Sequence, residues 1–148
     1  MKALHRILFV LHLLVGIGAM AGGFAAISNP QNPLGVPTDM LKNSPFSDFL
    51  IPGILLFGVI GVGNVVAAVF VQRNPWYSPY VSSVFGWALV IWIIVQCIMI
   101  RSIVFLHILF FAIGAVQAAI AMLLLFRGRM FPFNLLEYYW KKFIVKEK

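Results

Sequence analysis

Charge is what this sequence has least of. Eleven Lys and Arg and four Asp and Glu make up 10% of 148 residues, where a soluble domain carries about 25%. A water-facing surface of ordinary size cannot be built from so few. Acidic side chains are scarcest: Asp39, Asp48, Glu137 and Glu147 all fall outside the long apolar runs, which excludes a carboxylate-based proton or cation carrier. The single cysteine, Cys97, excludes both a disulfide framework and a C-x-x-C site. No Ser/His/Asp or Cys/His set, phosphate loop or pair of acids is spaced for catalysis, so the residues assign no catalytic role.

Hydrophobic residues, by contrast, make up 62% of the chain, and they fall in runs long enough to span a bilayer. From Val81 to Phe126, a stretch of 46 residues, Arg101 is the only formal charge. One helix of that length would be about 69 Å long against a hydrocarbon core of roughly 30 Å, so the segment turns back, with Arg101 marking the turn. Spans are expected at about 7–27, 51–71, 81–100 and 103–126. The fold class is therefore all-α: an antiparallel four-helix transmembrane bundle (residues 1–130) with a distinct tail (131–148).

The first span also has the layout of a secretory signal, with a basic start, an apolar run and Ala19-Met20-Ala21 as an A-x-A site. A permanent span is the reading followed here, and its loss would leave the orientation of the other three unchanged. Residues 28–50 hold Pro30, Pro33, Pro37 and Pro45, which exclude a regular helix over most of the loop. Asp39 to Asn43 could form one turn with Thr38 as N-cap. Trp76, Tyr77 and Tyr80 suit a lipid–water boundary. In the tail, Leu136, Tyr139, Trp140 and Phe143 fall at i, i+3, i+4 and i+7 beside a fringe of lysines, the pattern of an amphipathic helix lying in the interface.

Nine Lys and Arg lie on the side of the termini and two, Lys42 and Arg101, on the other. The positive-inside rule then places both termini in the cytoplasm and the protein in a plasma or inner membrane. The net charge of +7 reads as topology signal and lipid headgroup contact rather than nucleic-acid binding.

Polar residues within spans are costly enough to carry hypotheses. Gln96 and His107 lie five residues before and six after Arg101, which puts both in the outer half. They could line a small pocket with Trp92 as floor and Phe46 and Phe49 in the covering loop, or could bond to each other and pin the third and fourth spans. His12 and Asn64 share the inner half, where a hydrogen bond between spans one and two is expected, with Gln117 nearer the midplane. The two histidines enter from opposite faces, too far apart in depth for one metal ion, so no metal or cofactor is expected. Gly18 and Gly22, in GxxxG spacing with Gly16, Ala19, Gly23 and Ala26 nearby, and Gly58 and Gly61 offer small-residue faces for packing within the bundle or for a membrane-protein partner or homo-oligomer.

Ser44 to Phe57 reads SPFSDFLIPGILLF and Ile91 to Gln96 reads IWIIVQ. With the glycine-rich end of the first span, these resemble a set of small four-span bacterial membrane proteins of no known activity. The resemblance covers residues 16–109, implies the four-span fold in a bacterial inner membrane, and does not extend to the basic aromatic tail. Two functional readings remain open: a non-enzymatic protein binding an apolar or amphipathic ligand or a membrane partner in the outer half, or a homo-oligomeric channel or small-solute transporter.

Overall fold

The computed structural model describes residues 2–143. Four helices are long and apolar enough to cross a membrane: α1 (Lys2–Ser28), α2 (Leu50–Arg73), α3 (Ser78–Ile100) and α4 (Phe105–Arg127). A short α5 (Phe133–Phe143) follows. The protein is an all-α, multi-pass membrane bundle. In α1 the helix already starts at Lys2, so the basic residues preceding the expected span are part of the same helix.

The helices pack in a ring, α1 on α2, α2 on α3, α3 on α4, and α4 back on α1 through the thinnest of the four contacts. Their outward faces are apolar, with Ile17, Ile54, Val59, Val84, Ile91 and Ile108 all exposed. Such side chains suit a hydrocarbon solvent, where close packing rather than the hydrophobic effect holds helices together.

Glycine supplies that close packing, though not through the expected pair. Gly16 and Gly23 of α1 and Gly53 and Gly61 of α2 are the positions where the two backbones meet. A Cβ on Gly23 would lie 2.6 Å from the Phe57 backbone nitrogen, and one on Gly61 would lie 2.6 Å from Met20 Cγ. Gly18 faces only the Phe110 ring, Gly22 only a methyl of Leu56, and Gly58 nothing within 4 Å. The α3–α4 hairpin is joined the same way, by Gly86 against the Ala118 backbone and Gly114 against Val90 and the Gly86 carbonyl.

Within α2, Leu56–Val62 is wound as a π-helix, a form that is rare and often sits at functional sites. The hairpin turns where Arg101 indicates: α3 ends at Ile100, and Arg101 takes the left-handed conformation (φ 50°, ψ 33°) that closes many helices. The long loop forms two short 3-10 turns, Pro33–Gly35 and Thr38–Leu41. Pro37, rather than Thr38, precedes the second turn, and no side chain caps it. Asp48 accepts the Leu50 N–H at 3.0 Å in a turn that leads into α2, while Asp39 pairs with Lys42 at 3.1 Å.

Beyond α4, the Phe126 and Phe133 rings meet edge to face at 5.6 Å, and Lys142 lies over the Tyr138 ring. The apolar face expected of the tail rests largely on Leu136, Trp140 and Phe143, whose side chains fall outside the description, as do Lys146 and Lys148 entirely.

Candidate functional site

One helical turn of apolar side chains separates two polar sites in the bundle. At the level of residue 12 of α1, His12, Asn64 and Gln117 come together from α1, α2 and α4, all three fully buried. Asn64 Nδ2 donates to the Ile60 carbonyl at 2.8 Å, which turns Asn64 Oδ1 toward His12. An amide oxygen only accepts, so the 2.7 Å contact makes His12 Nδ1 the donor. Gln117 Nε2 donates to the same Oδ1 at 3.3 Å and lies 3.0 Å from His12 Nδ1. His12 Nε2 and Gln117 Oε1 find no partner among the described residues. The His12–Asn64 pairing follows the depth reading. Gln117, expected in the same inner polar layer though nearer the midplane, lies at the level of the pair, and its bond to Asn64 ties α4 to α2.

Above this cluster, toward the loop end, lies a cavity of about 220 Å³ walled by all four helices. Its base is Val15, Ile60 and Leu89. Val15 is three residues along α1 from His12 and Ile60 four residues before Asn64, so about one turn, or 5.4 Å, of apolar side chain divides cavity from cluster. The π stretch of α2 contributes Leu56 and Ile60 to the wall. Trp92, Gln96 and His107 all line this cavity, together with Gly18, Gly22 and Phe110.

Gln96 and His107 are not bonded to each other, which corrects the expectation of an interhelical hydrogen bond between the third and fourth spans. His107 Nδ1 instead accepts the Val104 N–H at 3.3 Å. This is one half of a capping box, with histidine in the place Glu or Gln usually takes. It satisfies a backbone donor that the first turn of α4 would otherwise leave open. Engaged this way, the neutral ring carries its proton on Nε2. No described residue bonds to the Gln96 amide or to His107 Nε2. The Trp92 indole N–H is buried and also lacks an acceptor.

No family model, curated protein or solved structure matches this chain. The site is therefore read from its own chemistry.

Phe46 and Phe49 do not line the cavity. Phe49 packs with Ala26 and Leu41 in a separate cluster at the loop end, against which Phe46 rests. Phe49 reaches only a 30 Å³ void, which shares Trp92 and Gln96 with the cavity wall. The loop closes the end of the bundle through Phe49 N–H to the Pro30 carbonyl at 3.0 Å, so the cavity opens elsewhere. Its lining residues that keep the most exposure, Gly18 on α1 and Val104 and Leu106 on α4, flank the thin α1–α4 seam. The opening is lateral. Phe110, seated against Gly18, stands in it: a Cβ on Gly18 would meet the ring at 3.2 Å.

The two polar lining residues should separate in thermal melts in detergent. Gln96→Leu breaks no hydrogen bond and should leave the melting temperature unchanged. His107→Ala removes the acceptor at the start of α4 and should lower stability by about 1 kcal/mol, as other N-cap losses do. Equal destabilisation by both would restore the bond between them.

Proposed function

We propose that this is a non-enzymatic membrane protein that binds an amphipathic ligand in the cavity walled by all four helices. One observation carries this reading: an apolar cavity, beside the loosest seam of the bundle, holds the Gln96 amide and His107 Nε2, to which no described residue bonds. Pockets of this composition, mostly apolar with a few convergent polar groups, are the usual form of small-molecule sites. The π turn in the wall supports the same reading. The apolar layer of Val15, Ile60 and Leu89 favours a closed binding site over the polar path that a channel would need.

The distribution of basic residues supports an orientation with both termini cytoplasmic, so that the cavity lies in the outer half. The lysine-rich tail would then rest on the cytoplasmic interface. Gly58, exposed and open on its outer side, is where a second membrane helix could approach.

In liposomes, hexadecanol bearing a diazirine near its head should label residues of 15–22 and 92–110. Gly22→Leu places a side chain in the cavity beside Leu56 and should remove most of that labelling. Gly58→Leu, on the far surface, should not. Labelling unaffected by Gly22→Leu would place the probe on the lipid-facing surface instead.

A further inference from the structure

The cavity also restricts which ligand it would take. None of its lining residues is Lys, Arg, Asp or Glu. A charged head brought into this apolar enclosure would lose its hydration and gain no counter-charge, which is strongly unfavourable. What the wall offers is neutral. His107, with Nδ1 occupied by the Val104 N–H, presents an Nε2–H donor. Gln96 presents an amide that both donates and accepts. A carbonyl, amide or hydroxyl complements that pair, whereas a carboxylate, phosphate or quaternary ammonium does not.

Size and opening fix the rest of the ligand. An apolar protein cavity of about 150 Å³ holds one benzene molecule. At about 220 Å³, this cavity has room for a head or a single ring and little more, so a long chain must leave it. The exit is the α1–α4 seam beside Gly18 and the 58% exposed Leu106, where the Phe110 ring must turn aside for the chain to pass. A chain leaving there enters the hydrocarbon layer directly and needs no water-filled route.

We propose that the cavity selects a neutral amphipath: an uncharged carbonyl- or hydroxyl-bearing head held by Gln96 and the His107 Nε2–H, on a hydrocarbon chain that passes out between α1 and α4. This rests on the binding reading above.

Three competitors with one chain and different heads test it: hexadecanamide, palmitate and hexadecyltrimethylammonium, each set against the diazirine–hexadecanol probe in liposomes containing the full-length protein. Hexadecanamide should displace the probe at a concentration at least about tenfold below the two charged competitors. Gln96→Leu, which breaks no hydrogen bond of the fold, should shrink that advantage. Equal displacement by all three, or stronger displacement by palmitate, would overturn the neutral-head assignment while leaving the binding site in place. An advantage that survives Gln96→Leu intact would overturn the role given to Gln96. Failure of every competitor, with labelling spread over lipid-facing residues, would overturn the binding reading itself.

Discussion

Gly23→Ala is expected to destabilise the bundle by about 1–3 kcal/mol, the range for overpacking a filled interior, while Gly18→Ala, Gly22→Ala and Gly58→Ala change stability little. The difference lies in what the added methyl meets. At Gly23 it falls within 2.8 Å of three Phe57 atoms, two of them backbone, and backbone cannot swing aside as the end of a side chain can. Relief would require α1 and α2 to separate, loosening Gly16, Gly53 and Gly61 along the same seam. At Gly18 the methyl meets a ring free to turn, at Gly22 an ordinary 3.6 Å contact, and at Gly58 open space. Gly58→Ala should even gain slightly, because alanine loses less backbone freedom in a helix. Thermal unfolding in a mild detergent checks this series. A Gly23 variant as stable as the Gly18 variant would mean that the α1–α2 contact is not the tight seam described.

The second large effect is expected at Asn64. Its Oδ1 serves both His12 Nδ1 and Gln117 Nε2, and its Nδ2 serves the Ile60 carbonyl. Asn64→Ala removes the acceptor shared by two fully buried side chains. Leaving a buried polar group unsatisfied costs about 1–3 kcal/mol. Gln117→Leu removes one hydrogen bond to Asn64, and double-mutant cycles within a membrane protein place such bonds at about 0.6 kcal/mol on average. Because the three side chains share atoms, their effects should not add. A cycle built from Asn64→Ala and Gln117→Leu should show a coupling of about 0.5 kcal/mol or more. Strict additivity would mean that the three act as separate pairs.

Much of the architecture was legible before any coordinate. Run length specified four helices, and the lone charge at Arg101 specified where the second hairpin turns. Counting residues from each membrane end placed His12 beside Asn64, since depth needs only the rise per residue. Rotation about each helix axis was the part that could not be read. The spans are apolar on every side, so no polar stripe marks which face is inward. For that reason the small residues from Gly16 to Ala26 read as one packing stretch, and only the structure separates Gly16 and Gly23, which make the contact, from the GxxxG pair Gly18–Gly22. The π stretch at Leu56–Val62 adds to the difficulty, because it shifts the phase of every residue after it in α2.

Gln96 and His107 show the same limit from the other side. Their shared depth was correct as far as it put both beside one cavity with Trp92, but depth cannot say whether two side chains face each other or a common space. The capping contact of His107 is local and was readable in principle: the residue is the third of α4, where a side chain can return to the N-cap N–H. Histidine is simply not the residue type usually sought there. The loop was misjudged in a similar way, since Phe46 and Phe49 are apolar enough to cover a pocket but are occupied by Ala26 and Leu41.

The ligand site proposed for this protein is the cavity walled by all four helices. Native mass spectrometry of the protein released from nanodiscs tests it most directly, comparing the wild-type chain with Gly22→Leu. The expected result is a monomer or dimer carrying a defined extra mass that the Gly22→Leu protein lacks. A ligand-free oligomer of fixed number, identical for both proteins, would contradict the account and direct attention to flux across the membrane.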